Sequence, residues 1–513
     1  MKINESILCI MLLFFLLLCG CTVSTKNTSS VDYVKINSTN EFDKESAFIK
    51  SLFESEDFSA RGLQIIPNEP GLSVSSNGGK NFQPAVNIDF FSFWEHEKAD
   101  GDIIITKKIL IPIDDALAGR TNTSFQACID GNETLIQTDE LKPPFAALRV
   151  DGLALGDEGY PLIWITGIRY KENEEIKTSR RFQENYLNLK NVISSAQKPD
   201  IQLMPQTLWI AAGGDTMLGR GATEILINEG PAGIFGETAQ MLASSDIALL
   251  NLEGVISANG ERVPKSYNFR FIPEIAAALR DAGIDAVLHA NNHVFDYGSQ
   301  AFLDSLSWLE KAGIGVAGAG INDDAASQPY VFSKGGDVVR VFGIASFPRE
   351  QNGWDGVTAA AEPDKAGMLH AGKGGAEKLK CKMSANDSSV NIVFFHGGVE
   401  WSTRPDAATR QLYTGLIEAG ADLVIGTHPH VVQGFEWVHG KPVFWSLGNY
   451  VFGGMNGWYG GDEGLFIRLG YCQGRLFYIE PFPLFLNNTR TDIVSQDKLE
   501  TFYARSKELQ ERP

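Results

Sequence analysis

The 513-residue sequence predicts an α/β protein with mixed sheets, in which a smaller mixed N-terminal domain precedes a larger domain of alternating strands and helices. Three observations predict it. Five stretches run from apolar residues into acid, amide or imidazole: Trp209 to Asp215, Ile247 to Glu253, Ala286 to His293, Val390 to His396 and Leu423 to His430. Helical patterns separate most of them, the order expected of parallel strands with crossover helices, whose carboxyl ends share one edge where ligands bind. Past His430 there is more strand than one layer can use, so two sheets are expected.

Composition narrows the function classes. With 43% hydrophobic and 10% aromatic residues the chain has material for real cores. A formal charge of −19 and the lack of a long Lys/Arg run exclude a nucleic-acid partner, because phosphate contact needs a basic face. An anionic substrate must therefore meet a local positive site.

Taken in order, the chain opens on an address. Lys2 precedes an apolar run from Ile7 to Leu18, too short to span a bilayer comfortably and suited to a signal peptide. Leu18-Cys19-Gly20-Cys21 resembles a bacterial lipobox, which implies a lipoprotein signal peptide over 1–21, lipidation of Cys21 and a polar tether over 22–31. The expected location is the outer face of the bacterial cytoplasmic membrane or the outer membrane, with an ordinary cleaved signal or an uncleaved anchor as the alternative. No C-x-x-C spacing points to a zinc ribbon or a redox motif.

Residues 32–200 form the N-terminal mixed α/β domain, with no role assigned. Val86 to Trp94, Asp102 to Ile113 and Tyr160 to Tyr170 have strand composition, and Glu41 to Glu56 and Arg181 to Ser195 helical composition. His96 lies between Glu95 and Glu97 and is expected in an exposed turn. The polar stretch Lys171 to Asp200 marks the boundary with a second domain over 206–485.

In that second domain the strands ending at Asp215, Glu253 and Asn292 alternate with helices at about Ile234 to Leu242, Pro273 to Ala282 and Gln300 to Ala312. Tyr330 to Ser333 and Asp337 to Ala345, joined through Gly335-Gly336, predict a hairpin and hence a mixed sheet. A helix after Pro405 leads to the His428 strand, followed by strands at Phe435 to Val438, Pro442 to Trp445, Gly464 to Leu469 and Arg475 to Glu480. The tail over 486–513 holds a last helix, Gln496 to Gln510, expected to be charged and solvated.

The chemistry lies in the strand ends. Residues i and i+2 of an extended chain point the same way, so His428 and His430 can present both imidazoles to one site; on this motif alone, closing a buried strand is the competing reading. With Asp215, Glu253, Asn292 and His396 they make two carboxylates, an amide oxygen and three imidazoles. That mixture suits Mn, Fe or Zn better than Ca or Mg, with one or two ions per chain.

Six ordered motifs resemble the bacterial capsule-synthesis CapA family: Gly214-Asp215-Thr216-Met217, Asn251-Leu252-Glu253, Asn291-Asn292-His293, His396-Gly397-Gly398-Val399-Glu400-Trp401, Gly426-Thr427-His428-Pro429-His430 and Ser446-Leu447-Gly448-Asn449-Tyr450-Val451-Phe452. The family is linked to poly-gamma-glutamate and branches from the calcineurin-like metallophosphoesterase superfamily. The resemblance implies a four-layer αββα sandwich with Glu253 as the bridging acid, Asp215 and His430 serving one metal, and Asn292, His396 and His428 the other. It also implies a histidine near the leaving group, His293, for which hydrogen bonding behind the ligands is the competing role.

Two departures stand out. Met217 occupies the place of a ligand histidine, which weakens or empties one metal position. The acid usual directly after the third-motif histidine is replaced by Val294, with Asp296 two residues further on. Arg220, Lys265, Arg270 and Arg404 are the expected anion contacts, with ordinary surface charge as the alternative, and Glu400 is grouped with them around the substrate.

Two functions follow. One is a metal-dependent hydrolase or transferase, metallophosphoesterase-like, acting outside the cytoplasm on an anionic polymer such as poly-gamma-glutamate, on a capsule precursor, or on an ester or amide linkage. The other is a non-catalytic polymer-binding or assembly subunit of a synthesis or export complex.

Overall fold

The structure, a computed structural model, describes residues 32–37, 47, 51, 63–68, 71–73, 86–98, 103–172, 206–347, 349–350, 354–384, 389–455, 460–494 and 496–511. The expected signal peptide, Cys21, the tether, the Arg181 to Ser195 helix and most of the Glu41 to Glu56 helix lie outside the described residues.

The chain divides into two compact units. The first takes residues 1–111, 135–139 and 158–204; the second takes 205–513 together with 112–134 and 140–157. In the first unit the strands Gly71–Ser73, Leu63–Asn68, Asp32–Asn37, Val86–Trp94, Ile163–Glu172 and Ile103–Asp115 lie side by side in that order. The last of these runs on into the second unit.

The second unit holds two mixed sheets. One has the order Gly315–Ala317, Ala286–Leu288, Ile247–Leu252, Leu208–Met217, Glu463–Cys472, Arg475–Asn487 and Arg490–Ile493, with Asn449–Phe452 also paired to Leu208–Met217. Its first four strands are parallel and its far edge is an antiparallel meander. The other sheet runs Tyr330–Lys334, Asp337–Ser346, Val390–Gly397, Leu423–Thr427, Lys441–Leu447 and Val432–Val438. Gly335 and Gly336 close its first hairpin with φ of 61° and 93°, the left-handed pair that a tight hairpin turn needs.

Three apolar clusters place the layers. Leu208, Ile210, Leu249 and Leu288 of the first sheet pack against Val341, Ile392, Phe394 and Ile425 of the second, so these faces meet. On the far side of the first sheet, Ala211, Ala248, Leu250 and Val287 are covered by Leu226, Leu242, Ile275, Leu279 and Leu309 from helices. On the far side of the second, Val393, Phe395, Val424 and Trp445 are covered by Leu379, Met383, Tyr413 and Leu416. Strands buried on both faces explain the unbroken apolar runs in the sequence, since parallel strands between two layers have no polar side. The result is the helix–sheet–sheet–helix order that the resemblance implied.

Two expectations change. One helix over 234–242 is replaced by three short ones, Ala222–Glu229, Pro231–Phe235 and Thr238–Ser244. The last helix, Gln496–Glu511, is not simply solvated: Phe502, Tyr503, Ser506 and Leu509 are buried, and Ser506 Oγ accepts the Phe435 N–H at 3.0 Å. The 502, 506, 509 spacing is one helical stripe, hidden in the sequence by the charges that surround it.

Candidate metal centre

Every residue of the convergent set lies at the carboxyl end of its strand. Asp215 ends the strand Leu208–Met217, Glu253 follows Leu252, His396 ends Val390–Gly397 and His428 follows Thr427. Register brings them together: Asp215 pairs with Asn251, and His396 with Thr427. A Cβ on Gly214 would lie 2.0 Å from the Gly448 carbonyl oxygen, so only glycine lets the Asn449 strand approach Asp215 this closely.

His428 and His430 converge by a different route from the one expected. The strand stops at Thr427, and both histidines take left-handed backbone, with φ of 97° and 58°. Non-glycine residues hold that conformation only where surrounding contacts impose it, and such positions cluster at functional sites. Here the His428 N–H donates to Asp215 Oδ2 at 3.1 Å, and Asn449 Nδ2 reaches the His430 carbonyl at 3.4 Å.

Asp215, Glu253 and His396 are fully buried, with ligand atoms all within 4.8 Å of one another, and could hold a metal ion. His396 Nε2 lies 3.0 Å from Asn292 Oδ1 and 3.1 Å from His428 Nδ1. His430 Nδ1 contacts Asn449 Oδ1 at 2.9 Å and Asp215 Oδ2 at 3.2 Å. Among the described residues Glu253 Oε1 has no hydrogen-bond partner, while His293 Nε2 and His430 Nε2 each stand 3.7 Å from it. An orphaned buried carboxylate oxygen is costly, and 3.7 Å is too long for a hydrogen bond. Two ligands each about 2.1 Å from one ion stand roughly 3 to 4 Å apart, so Glu253 Oε1 and His430 Nε2 are spaced as two donors to one divalent metal would be.

Burial and mutual charge set the protonation of the metal-free cluster. Burial, then the Asp215 charge, hold Glu253 well above the usual carboxyl range. Burial works against the charged form of Asp215 too, yet His430 and Asn251 outweigh it and keep Asp215 below its usual value. Burial, then the neighbouring imidazoles, push His396 well down and His428 down to about 3. In His430 burial is overcome by Glu253 and Asp215, which raise it to about 10.

The Glu253–His430 pair, held between burial and the Asp215 charge, thus keeps a proton at neutral pH that an incoming ion must displace. A raised imidazole contributes stability below its unfolded value of 6.5, and that contribution is lost as pH climbs through about 10. Metal uptake should correspondingly tighten across the same window. Calorimetric titration at neutral pH in buffers of different ionisation enthalpy should count about one proton released per ion; release of none would mean the ion does not meet this pair.

The remaining expected residues divide. His293 Nδ1 contacts Asp296 Oδ2 at 2.6 Å, so the acid lacking at Val294 is supplied by Asp296. Arg220 is exposed, donates to the Gly453 carbonyl at 2.7 Å and sits 5.4 Å from the Phe269 ring, which lies 4.1 Å from the His293 ring. Glu400 is exposed and its charge acts on Glu253 and His430.

Lys265, expected as an anion contact, is instead buried, its ammonium engaged by Asn292 O at 2.6 Å, Asp296 Oδ1 at 2.9 Å and Glu350 Oε1 at 3.0 Å. Arg270 lies over the Tyr297 ring at 4.2 Å and Arg404 pairs with Glu508, so neither guanidinium is held by the ligand cluster. Met217 is buried among apolar side chains, and its sulfur accepts the Gly219 N–H at 3.1 Å. Not anticipated were Asn251, Asn449, Thr427 and Glu350; the first three stood inside the quoted motifs, whereas nothing around Glu350 signalled it.

Residues 209–454 match the family model described as bacterial capsule synthesis protein PGA_cap. That domain belongs to the PGA_cap family. Over 245 residues the chain is 28% identical to the PGA biosynthesis protein CapA of Bacillus subtilis, covering 47% of this chain and 62% of that protein. It is also 28% identical over 250 residues to the capsule biosynthesis protein CapA of Bacillus anthracis, covering 47% of this chain and 58% of that one. The chain thus spans about three fifths of the length of these Bacillus relatives. A probable polyglutamine synthesis accessory protein of Mycobacterium tuberculosis is 27% identical over 352 residues, 58% of this chain and 89% of its own. The candidate ligand cluster and its asparagine partners fall inside the PGA_cap domain.

Proposed function

We propose that this protein takes part in capsule or poly-gamma-glutamate synthesis as a metal-dependent hydrolase or transferase acting on an anionic polymer or its ester or amide linkage. The orphaned Glu253 Oε1, faced by His430 Nε2 in a buried ligand set, carries the metal part of the reading. The printed names of the Bacillus relatives carry the pathway part. The lipobox-like Leu18 to Cys21 supports export and anchoring through Cys21.

Asp215, Glu253, Asn292, His396, His428 and His430 would hold one or two ions of the Mn, Fe or Zn type. When bound, such an ion supplies Lewis acidity and makes water more acidic. His293, with Nδ1 on Asp296, would in its imidazolium form pass the Nε2 proton to a leaving group. Arg220, one aromatic ring removed from His293, steadies the anion.

Loaded with Mn2+ or Zn2+, the purified chain is expected to turn over a phosphodiester or a gamma-glutamyl polymer, and His293→Asn to lower that rate about 100-fold or more. Met217, buried where a ligand histidine would stand, favours a second reading, a polymer-binding assembly subunit. A loaded chain that turns over neither substrate while binding polyglutamate establishes that second role instead.

A further inference from the structure

We propose that Asn251 is the positioning residue of this centre: its carboxamide closes one atom each of Asp215 and Glu253 and thereby decides which atoms remain for a divalent ion. The proposal rests on the metal-binding reading above. Asn251 is fully buried and shares a face with Asp215 by strand register and with Glu253 by the two-residue period.

Its Nδ2 donates to Asp215 Oδ1 at 2.8 Å and to Glu253 Oε2 at 3.3 Å, and also lies 3.1 Å from His396 Nδ1. An amide has two protons, so three acceptors cannot all be served. His396 has another partner. Thr427 Oγ1 stands 3.1 Å from His396 Nδ1 and gives its own proton to the Phe395 carbonyl at 2.9 Å, so it accepts one from the imidazole. That assignment puts the His396 proton on Nδ1 and leaves Nε2 as a lone pair beside Asn292 Oδ1 and His428 Nδ1. Both Asn251 protons then go to the carboxylates.

The amide cannot turn over to undo this. Asn291 Nδ2 donates to Asn251 Oδ1 at 3.0 Å and to the Leu252 carbonyl at 2.8 Å, while Asn291 Oδ1 accepts the His293 N–H at 3.1 Å. A reversed Asn251 would set oxygen against Asp215 Oδ1 and nitrogen against Asn291 Nδ2. Glu253 Oε1 and His396 Nε2 are therefore the atoms turned toward the ion, and the Asn291–Asn251 pair links their orientation to the backbone beneath His293.

The test uses the full chain and Co2+, whose visible bands report ligand geometry. Asn251→Ser keeps the position polar and admits water; it should melt cooperatively, bind Co2+ about 10- to 100-fold more weakly than the parent, and show shifted bands. Loss of fold alone would not move the bands of the folded fraction. Parent-like affinity and bands in Asn251→Ser overturn the positioning role and leave the metal reading standing, whereas a parent chain that binds no Co2+ overturns both. Should Asn251→Ser fail to fold, Asn291→Ser frees the Asn251 amide to turn over and carries the same expectation at smaller size; unchanged affinity and bands there overturn the proposal.

Discussion

Glu253→Ala is expected to leave the purified chain with less than about a tenth of its reconstituted metal, the largest loss of any single ligand substitution. The carboxylate is fully buried, one of its oxygens is held by Asn251 and the other has no partner among the described residues while facing two imidazoles. On the proposed reading, removing it takes away the acid that would bridge both metal positions. His428→Ala should come next, because it opens the group it forms with His396 and Asn292. His430→Ala should be mildest, since on that reading it would empty a position already short of a ligand at Met217. Elemental analysis after dialysis against Mn2+ or Zn2+ reads the order directly, and a Glu253→Ala protein as rich in metal as the parent would remove the centre from consideration.

Lys265→Met is expected to cost about 3 to 5 kcal/mol of stability in urea denaturation, as removing one partner of a buried ion pair does. The lysine side chain is 1% exposed and Asp296 is fully buried, so the carboxylate cannot recover hydration when the ammonium goes. Methionine fills the stem's volume and keeps contact with Trp354, whose ring lies 4.2 Å from the ammonium, which isolates the loss of charge. Metal affinity should fall as well, because the ammonium also holds the Asn292 carbonyl, and Glu350 Oε1 accepts from Asn292 Nδ2 at 3.2 Å. A loss below about 1 kcal/mol, the size of a surface pair, would show that this lysine does not carry the loop.

Much of the fold could be read from the chain because its signals are local. Apolar runs ending in Asp, Glu, Asn and His gave the strands and their functional ends, and the Gly335-Gly336 hairpin followed from turn chemistry alone. The C-terminal helix was placed closely in extent but not in environment, since residues that bury it lie far off in sequence, the strand Val432–Val438 among them, and leave no mark on its own composition. Lys265 was misplaced for a related reason. A lone lysine looks the same in sequence whether it reaches for substrate or for a buried carboxylate, and its partners Asp296 and Glu350 are 31 and 85 positions away.

What the sequence determined by itself was the inventory of the centre: parallel strands joined by crossover helices must bring their carboxyl ends to one edge, and acids, amides and imidazoles at those ends amount to a metal-ligating set. Only the tertiary structure decided how each atom is used. Asp215 receives Asn251 from 36 positions away and the His428 backbone from 213, and His430 is held by Asn449 across 19. Such pairings depend on sheet register and on left-handed turns at His428 and His430, so the division of protons among the ligands exists only once the strands have come together.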